Sequence, residues 1–416
     1  MNKKKYSNII FDEEFLLKTT QDLIRIKAVN NPPYITDYTK IIHYISELLK
    51  SFGFDVTIEG KEHFPNIIGR LPKVGKTDKC IMFNAHLDTV PEGDSDKWLH
   101  PPFSGIYENG YVYGRGATDM RGSIASLLTL SKAIHDYKIS FEGELAISFV
   151  SGHETGSING SVFLSENYPD MLRADMCFIP EPTNFKLSVA SRGIYWIKAT
   201  TYGVEGHTAT YNEISNSGIP QPPVNAIHKM NYFIHRLLDI DSWMSYEPHP
   251  RTGKEDGMYS EKPIIEVNLI HAGEKQNTVP SKCTATIDIR FLPSQTPEKI
   301  LLELEELILD IKKSDKDFKI QIEKDMIQSP PMNVPIESDL YKLAQRNFKK
   351  VRGRDLEVCG VCSPGDAVAF GKIMPVAWFG PNWNNAHGIN EKIHISDLLS
   401  LTKIYYSIAE DYLSID

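Results

Sequence analysis

Apolar positions recur at helical spacing over residues 13–29 and again over 39–52, with the breaker Asn30-Asn31-Pro32-Pro33 between them. Beyond these the pattern shortens. Ile67-Ile68, Ile81-Met82-Phe83 and Leu145-Ala146-Ile147-Ser148-Phe149-Val150 are compact apolar runs that predict strands. The Ala- and Leu-rich stretch from Ser123 to His135 predicts a helix between two of them. Strands alternating with helices predict an α/β domain whose sheet is largely covered.

From about Leu187 the texture changes. A strand is expected over Ile194–Thr201, then an irregular Gly/Pro-rich stretch at 209–223, then a helix from Val224 to Leu238. A polar insertion spans 239–262. Strands are expected at Ile264–Ile270 and Ala285–Phe291, a helix at 297–313 and a closing strand at Phe318–Ile322. That β-α-β-β-α-β order is the ferredoxin-like pattern, complete in itself and so readable as an insertion. Helices at 337–350 and 396–413 return to the first domain. The expected division is therefore 1–186 and 329–416 for an α/β catalytic domain, with 187–328 inserted into it.

Composition narrows the function classes. The 416 residues suggest two or three domains, with ample apolar material for their cores. A net charge of -9 gives no electrostatic support for a nucleic-acid partner or an anionic membrane. The basic start Lys3-Lys4-Lys5 leads into Tyr6-Ser7-Asn8, without the apolar core of a signal peptide. No apolar run reaches transmembrane length, so no membrane span is expected. Five scattered cysteines read as reduced thiols of a cytoplasmic protein, and the single Cys359-x-x-Cys362 lacks the second pair that a zinc ribbon needs.

Candidate chemistry lies just past the predicted strands. Asn84-Ala85-His86-Leu87-Asp88-Thr89 follows one buried run. Asp88 falls on the same side as His86 in an extended chain, where it can accept a hydrogen bond from a metal-bound imidazole. Alone, His-x-Asp is equally compatible with a turn. Gly114-Arg115-Gly116-Ala117-Thr118-Asp119 precedes the 123–135 helix, and Asp119 is readable as a ligand or as a helix cap. Ser151-Gly152-His153-Glu154 follows the Leu145–Val150 run. Glu181 sits between Pro180 and Pro182, and His387 lies in Asn385-Ala386-His387-Gly388. Together these sites supply two imidazoles and three carboxylates, a donor set suited to two zinc, cobalt or manganese ions.

As an ordered series the motifs resemble the metallopeptidase family that includes acetylornithine deacetylase, succinyl-diaminopimelate desuccinylase, aminoacylase and glutamate-removing carboxypeptidases. The resemblance runs over nearly the whole chain. It implies a zinc-peptidase-like α/β catalytic domain with an inserted ferredoxin-like α+β lid and dimerisation domain. It also implies hydrolysis of an N-acyl amino acid or short peptide through a hydroxide bridging two divalent metal ions. His86, Asp119 and Glu181 would bind one ion, and Asp119, Glu154 and His387 the other, with Asp88 orienting His86. His207, after Gly206, resembles the lid histidine that reaches the active site of the second subunit of a homodimer. Asn277 and Arg290 resemble the residues that hold the substrate carboxylate, a role suited to the guanidinium fork.

One position departs from the family pattern. The family has two consecutive glutamates at the third motif, the first a general base and the second a ligand. Here the pair is His153-Glu154. His153 can be read as the base, since imidazole has a reference pKa near 6.5. It can also be read as an additional ligand, or as the mark of a hydrolytically silent binding protein or altered chemistry.

Overall fold

The computed structural model describes residues 9–34, 36–210, 222–248, 262–363 and 365–414. Lys3-Lys4-Lys5, most of the 209–223 stretch and much of the 239–262 insertion lie outside the described residues.

The strands with the most continuous apolar sequence become the middle of one sheet. Cys80–His86 and Met176–Ile179 are buried at every position, and Glu144–Val150 at all but its first. Strands buried on both faces need cover on both, which parallel strands linked through helices provide. The six-stranded sheet runs in the order Asp55–Lys61, Phe64–Leu71, Glu144–Val150, Cys80–His86, Met176–Ile179, Val376–Trp378. The last four are mutually parallel, while the first two form an antiparallel hairpin joined to Glu144–Val150. The C-terminal ends of the parallel strands therefore open along one edge, where ligand crevices form in such sheets. His86, Ser151, Pro180 and Phe379 stand at or just past those ends.

Helices Gly122–Asp136 and Ile395–Leu413 pack on each other and are largely buried, as their high Ala, Leu and Ile content requires. Glu13–Arg25, Thr39–Ser51 and Asp339–Arg352 are amphipathic. Asp12 and Ser338 cap two of them, accepting from the backbone N–H of Phe15 and Tyr341.

The structure corrects some expected boundaries. The helix expected over 13–29 stops at Arg25. Thr89 N–H donates to the Ala28 carbonyl and Asn30 N–H to the Thr89 carbonyl, so this segment turns extended beside the His86 strand. The Asp55–Lys61 strand was not anticipated, because it is an edge strand with mostly exposed residues and no strong alternation. A small sheet of Ile106–Glu108, Tyr111–Tyr113 and Lys392–His394 was also missed, its strands being three residues each.

The chain forms two compact units: residues 1–189, 334–359 and 365–416, and residues 190–333 with 360–364. The units part after 189 and 333, with 360–364 belonging to the second. The second unit has a four-stranded antiparallel sheet in the order Ile264–Ala272, Lys282–Phe291, Gly193–Tyr202, Lys319–Ser329. With helices Ala226–Leu238 and Pro297–Ser314, this is the ferredoxin-like arrangement. Its core joins Ile197, Phe233, Ile287, Phe291, Leu304 and Ile311. The first helix begins two residues later than expected, because Asn225 caps it through the Ile227 N–H. The closing strand runs on to Ser329 past a register shift between Glu323 and Ile327.

No disulfide links the five cysteines. Among the described residues, no helix is long and apolar enough to cross a membrane.

Candidate metal centre

His86 ends its strand completely buried. Its Nδ1 donates to the backbone carbonyl of Asp88 at 3.0 Å, which fixes the ring and turns Nε2 toward Asp119 Oδ1 at 2.9 Å. The Asp88 carboxylate does different work from the orienting role expected for it. It lies 3.8 Å from His86 Nδ1, and instead accepts the backbone N–H groups of His153 at 3.2 Å and Glu154 at 3.0 Å. Asn30 donates to it at 2.9 Å. Asp88 therefore ties the 153–154 turn to the end of the His86 strand.

Asp119 sits in the turn ahead of the Gly122–Asp136 helix. The buried carboxylate of Glu391 accepts from the backbone N–H groups of Gly116, Thr118 and Asp119 at 2.9, 2.9 and 3.0 Å, and from Arg115 Nη1 at 2.7 Å. Gly116 is needed here, since it takes a φ of +82° and a Cβ would come within 2.6 Å of Thr89. Arg115 also donates to the His387 carbonyl at 3.2 Å, so one buried ion pair couples the Asp119 and His387 loops. His387 Nε2 lies 3.1 Å from Asp119 Oδ2 and 3.1 Å from Glu154 Oε1. The two oxygens of Asp119 thus face two different imidazoles.

Glu181 leaves its strand between two prolines, and Ser123 Oγ holds the Pro180 carbonyl at 2.8 Å. Its carboxylate is buried, and Oε1 has no hydrogen-bond partner. That oxygen lies 3.7 Å from His86 Nε2 and 3.5 Å from His153 Nε2. The His153 ring stacks on His86, with centroids 4.1 Å apart and planes 9° from parallel. Its Nδ1 meets the buried Asp366 carboxylate at 2.9 Å.

The electrostatics follow from crowding carboxylates and imidazoles out of water. Burial disfavours a charged His86, but Asp119 and Glu181 outweigh it and raise the imidazole to about 9. Hydrogen bonds to Asp119 and Glu154 raise His387 to about 10. Burial works against the Asp119 anion, yet the two histidines hold it well below the usual carboxylate range. Burial, with the Asp119 charge, pushes Glu181 up to about 8. Burial likewise opposes a charged His153, and the charges of Asp366 and Glu181 carry it well above the usual range.

These residues fit divalent cations. The atoms of His86, Asp119 and Glu154 lie within 4.8 Å of one another, as do those of His86, His153 and Glu181. The unpartnered Glu181 Oε1 is the clearest sign. A buried carboxylate oxygen without a donor is costly, and a cation satisfies it.

Five expected ligands, together with His153, therefore converge in the first unit. His207, Asn277 and Arg290 lie in the second. There His207 Nε2 is 3.3 Å from Asn277 Nδ2, because Gly206–His207 pairs with Thr278–Val279. Arg290 is engaged by the Asp288 carboxylate through Nε at 2.9 Å and Nη2 at 3.0 Å. Sequence reasoning gave no role to Asn30, Ser161, Arg115, Asp366 or Glu391. Arg115 and Glu391 carried a signal, by their closeness in the chain to Asp119 and His387.

A sequence model of peptidase family M20/M25/M40 matches residues 82–411. An uncharacterized metallohydrolase of Methanocaldococcus jannaschii is 29% identical, over 95% of this chain and 98% of its own length. The succinyl-diaminopimelate desuccinylase of Hydrogenovibrio crunogenus is 26% identical, over 87% and 90%. In fold, the aminopeptidase PepT of Bacillus cereus superposes with a TM-score of 0.73 at 16% identity, covering 97% of this chain and 99% of that one.

Proposed function

The chain belongs to peptidase family M20/M25/M40, and from that premise we propose that this metal-dependent hydrolase cleaves the amide bond of an N-acyl amino acid or short peptide at a two-metal site. His86, Asp119 and Glu181 would hold one divalent cation, and Asp119, Glu154 and His387 would hold the other. Zinc suits these donors best, with cobalt and manganese also compatible. The observation that carries the reading is Asp119, whose oxygens lie 2.9 and 3.1 Å from the ring nitrogens of two separate histidines. A carboxylate with its two oxygens so directed could be shared by two cations.

Bound there, the cations would polarise the amide carbonyl and make a water acidic enough to attack. His153 takes that water's proton on Nε2 and delivers it to the leaving amine. With divalent cations bound nearby, His153 would be held as the neutral imidazole that this task requires, against the pull of the carboxylates around it. Asp88 keeps His153 and Glu154 in register through their backbone N–H groups. In a homodimer formed through the inserted unit, the partner subunit's His207 stabilises the developing oxyanion. Asn277 and Arg290 receive the substrate carboxylate. A cytoplasmic location belongs to the same reading, supported by five cysteines without a disulfide.

A second reading has its own observation. His153 Nε2 groups with His86 and Glu181 within ligand distance, so His153 can serve as a ligand in a protein that binds such molecules without cleaving them. Turnover separates the two. The zinc-loaded protein is assayed on N-acyl amino acids and dipeptides, beside His153→Ala and His153→Glu. The hydrolase reading expects wild-type turnover, with His153→Ala slower by about 10²–10⁴-fold at unchanged metal content. A silent wild type, with activity gained in His153→Glu, would establish the binding reading instead.

A further inference from the structure

The His153 ring is held on three sides. His86 covers one face in a parallel stack. Gly365 closes another side, since a Cβ there would fall within 2.7 Å of His153 Cε1 and 2.7 Å of the Trp378 ring. Asp366 takes the third, its Oδ2 2.9 Å from Nδ1. The other Asp366 oxygen accepts from Ser161 Oγ at 2.6 Å, and both Asp366 and Ser161 are fully buried. With a donor on each oxygen the carboxylate is held in place. It is not spent on local structure either, since its side chain makes no cap to the short helix Ala367–Phe370 that follows.

A carboxylate base accepts a proton on either oxygen and has no tautomer to choose. An imidazole does. If Nε2 carried the proton, the ring would present an N–H to the water it should deprotonate. Both ring nitrogens face a carboxylate. Asp366 is at hydrogen-bond distance from Nδ1 at 2.9 Å, whereas Glu181 stands 3.5 Å from Nε2 without a hydrogen bond. An ionised carboxylate has no proton to give, so the hydrogen-bonded nitrogen, Nδ1, is the N–H. A histidine base therefore carries a requirement that a carboxylate base lacks, and Asp366 meets it.

We propose that Asp366 is a positioning residue that holds His153 as its Nδ1–H tautomer, leaving the Nε2 lone pair directed to the reacting groups, with Ser161 anchoring the carboxylate. Its catalytic consequence rests on the reading that His153 moves the proton; its structural claim stands without turnover.

The test uses the zinc-loaded full chain. Nitrogen-15 NMR of labelled histidines, with His153 assigned through His153→Gln, is expected to show Nδ1 protonated and Nε2 not. Asp366→Asn removes that preference. In kinetics, Asp366→Asn lowers kcat by about 10²–10⁴-fold while KM stays within about threefold and metal content is unchanged. In a His153→Ala background it has no further effect, and in a His153→Glu background it causes no loss. Ser161→Ala, which removes one hydroxyl, gives the same pattern more weakly and serves if Asp366→Asn fails to fold. A wild-type ring protonated on Nε2, or an Asp366→Asn penalty equally large without His153, overturns the proposal. A wild type that turns over nothing but shows the Nδ1–H tautomer overturns the hydrolase reading and leaves the positioning role standing.

Discussion

His86 and His207 both end strands, yet their surroundings are opposite. His86 closes a seven-residue strand at the centre of a parallel sheet, with no exposed surface and both ring nitrogens engaged. His207 closes a two-residue strand, is exposed, and its Nδ1 accepts a local N–H from Ala209 at 3.1 Å. A ligand must be fixed before the cation arrives, so it belongs where the sheet leaves no alternative rotamer. A residue that meets a substrate in passing gains from staying accessible. The comparison predicts that substitutions around His86 act through metal, while those around His207 act through turnover alone.

The largest effect is expected from Asp119→Ala, which removes the one carboxylate that faces both imidazoles. Metal content by elemental analysis should fall together with activity, to background. Retention of two metals would break the comparison at its root. Next comes His207→Ala, expected to cost about 10²–10³-fold in kcat, the usual loss for an oxyanion donor, with metal content unchanged. A fall in bound metal there would place His207 in the metal group. Glu391→Gln loosens the Asp119 turn without touching a ligand atom. Metal affinity, measured by competition with a chelator, should weaken by about 10–100-fold. The smallest effect is Arg290→Lys, which keeps the charge and loses the fork. It should raise KM about tenfold for substrates with a free carboxylate and leave amidated analogues unaffected.

The same contrast explains what was readable in the chain. Three of the five expected ligands, His86, Glu154 and Glu181, lie at or just past strands of the parallel sheet, which gathers its strand exits on one edge, while Asp119 and His387 lie in short motifs of turns and loops. Local order was enough to single them out as candidates. Asn30, Asp366 and Glu391 act across separations of 58, 213 and 272 residues, reaching Asp88, His153 and the Asp119 turn. Of the three, only Glu391 has a neighbour in the sequence, His387, that hints at that use. Asn30 belonged to a breaker, Asp366 to no motif, and Glu391 to the stretch just past His387. Asp88 shows the limit from the other side. Its spacing from His86 was informative, but the hydrogen bond to the ring comes from its carbonyl, while its carboxylate serves the next strand exit.

Helical periodicity, buried strand runs and ordered motifs determined the α/β class, the ferredoxin-like order of the second unit and the identity of the candidate ligands. These are local properties, written in side-chain hydrophobicity and in residue types at strand ends. The tertiary structure alone decided that Asp119 faces two imidazoles, that Glu181 keeps an unpartnered buried oxygen, and that His153 is locked between His86 and Asp366. Those relations depend on which strands lie side by side and how closely buried groups approach. Residues far apart in the chain set both, and no local pattern encodes them.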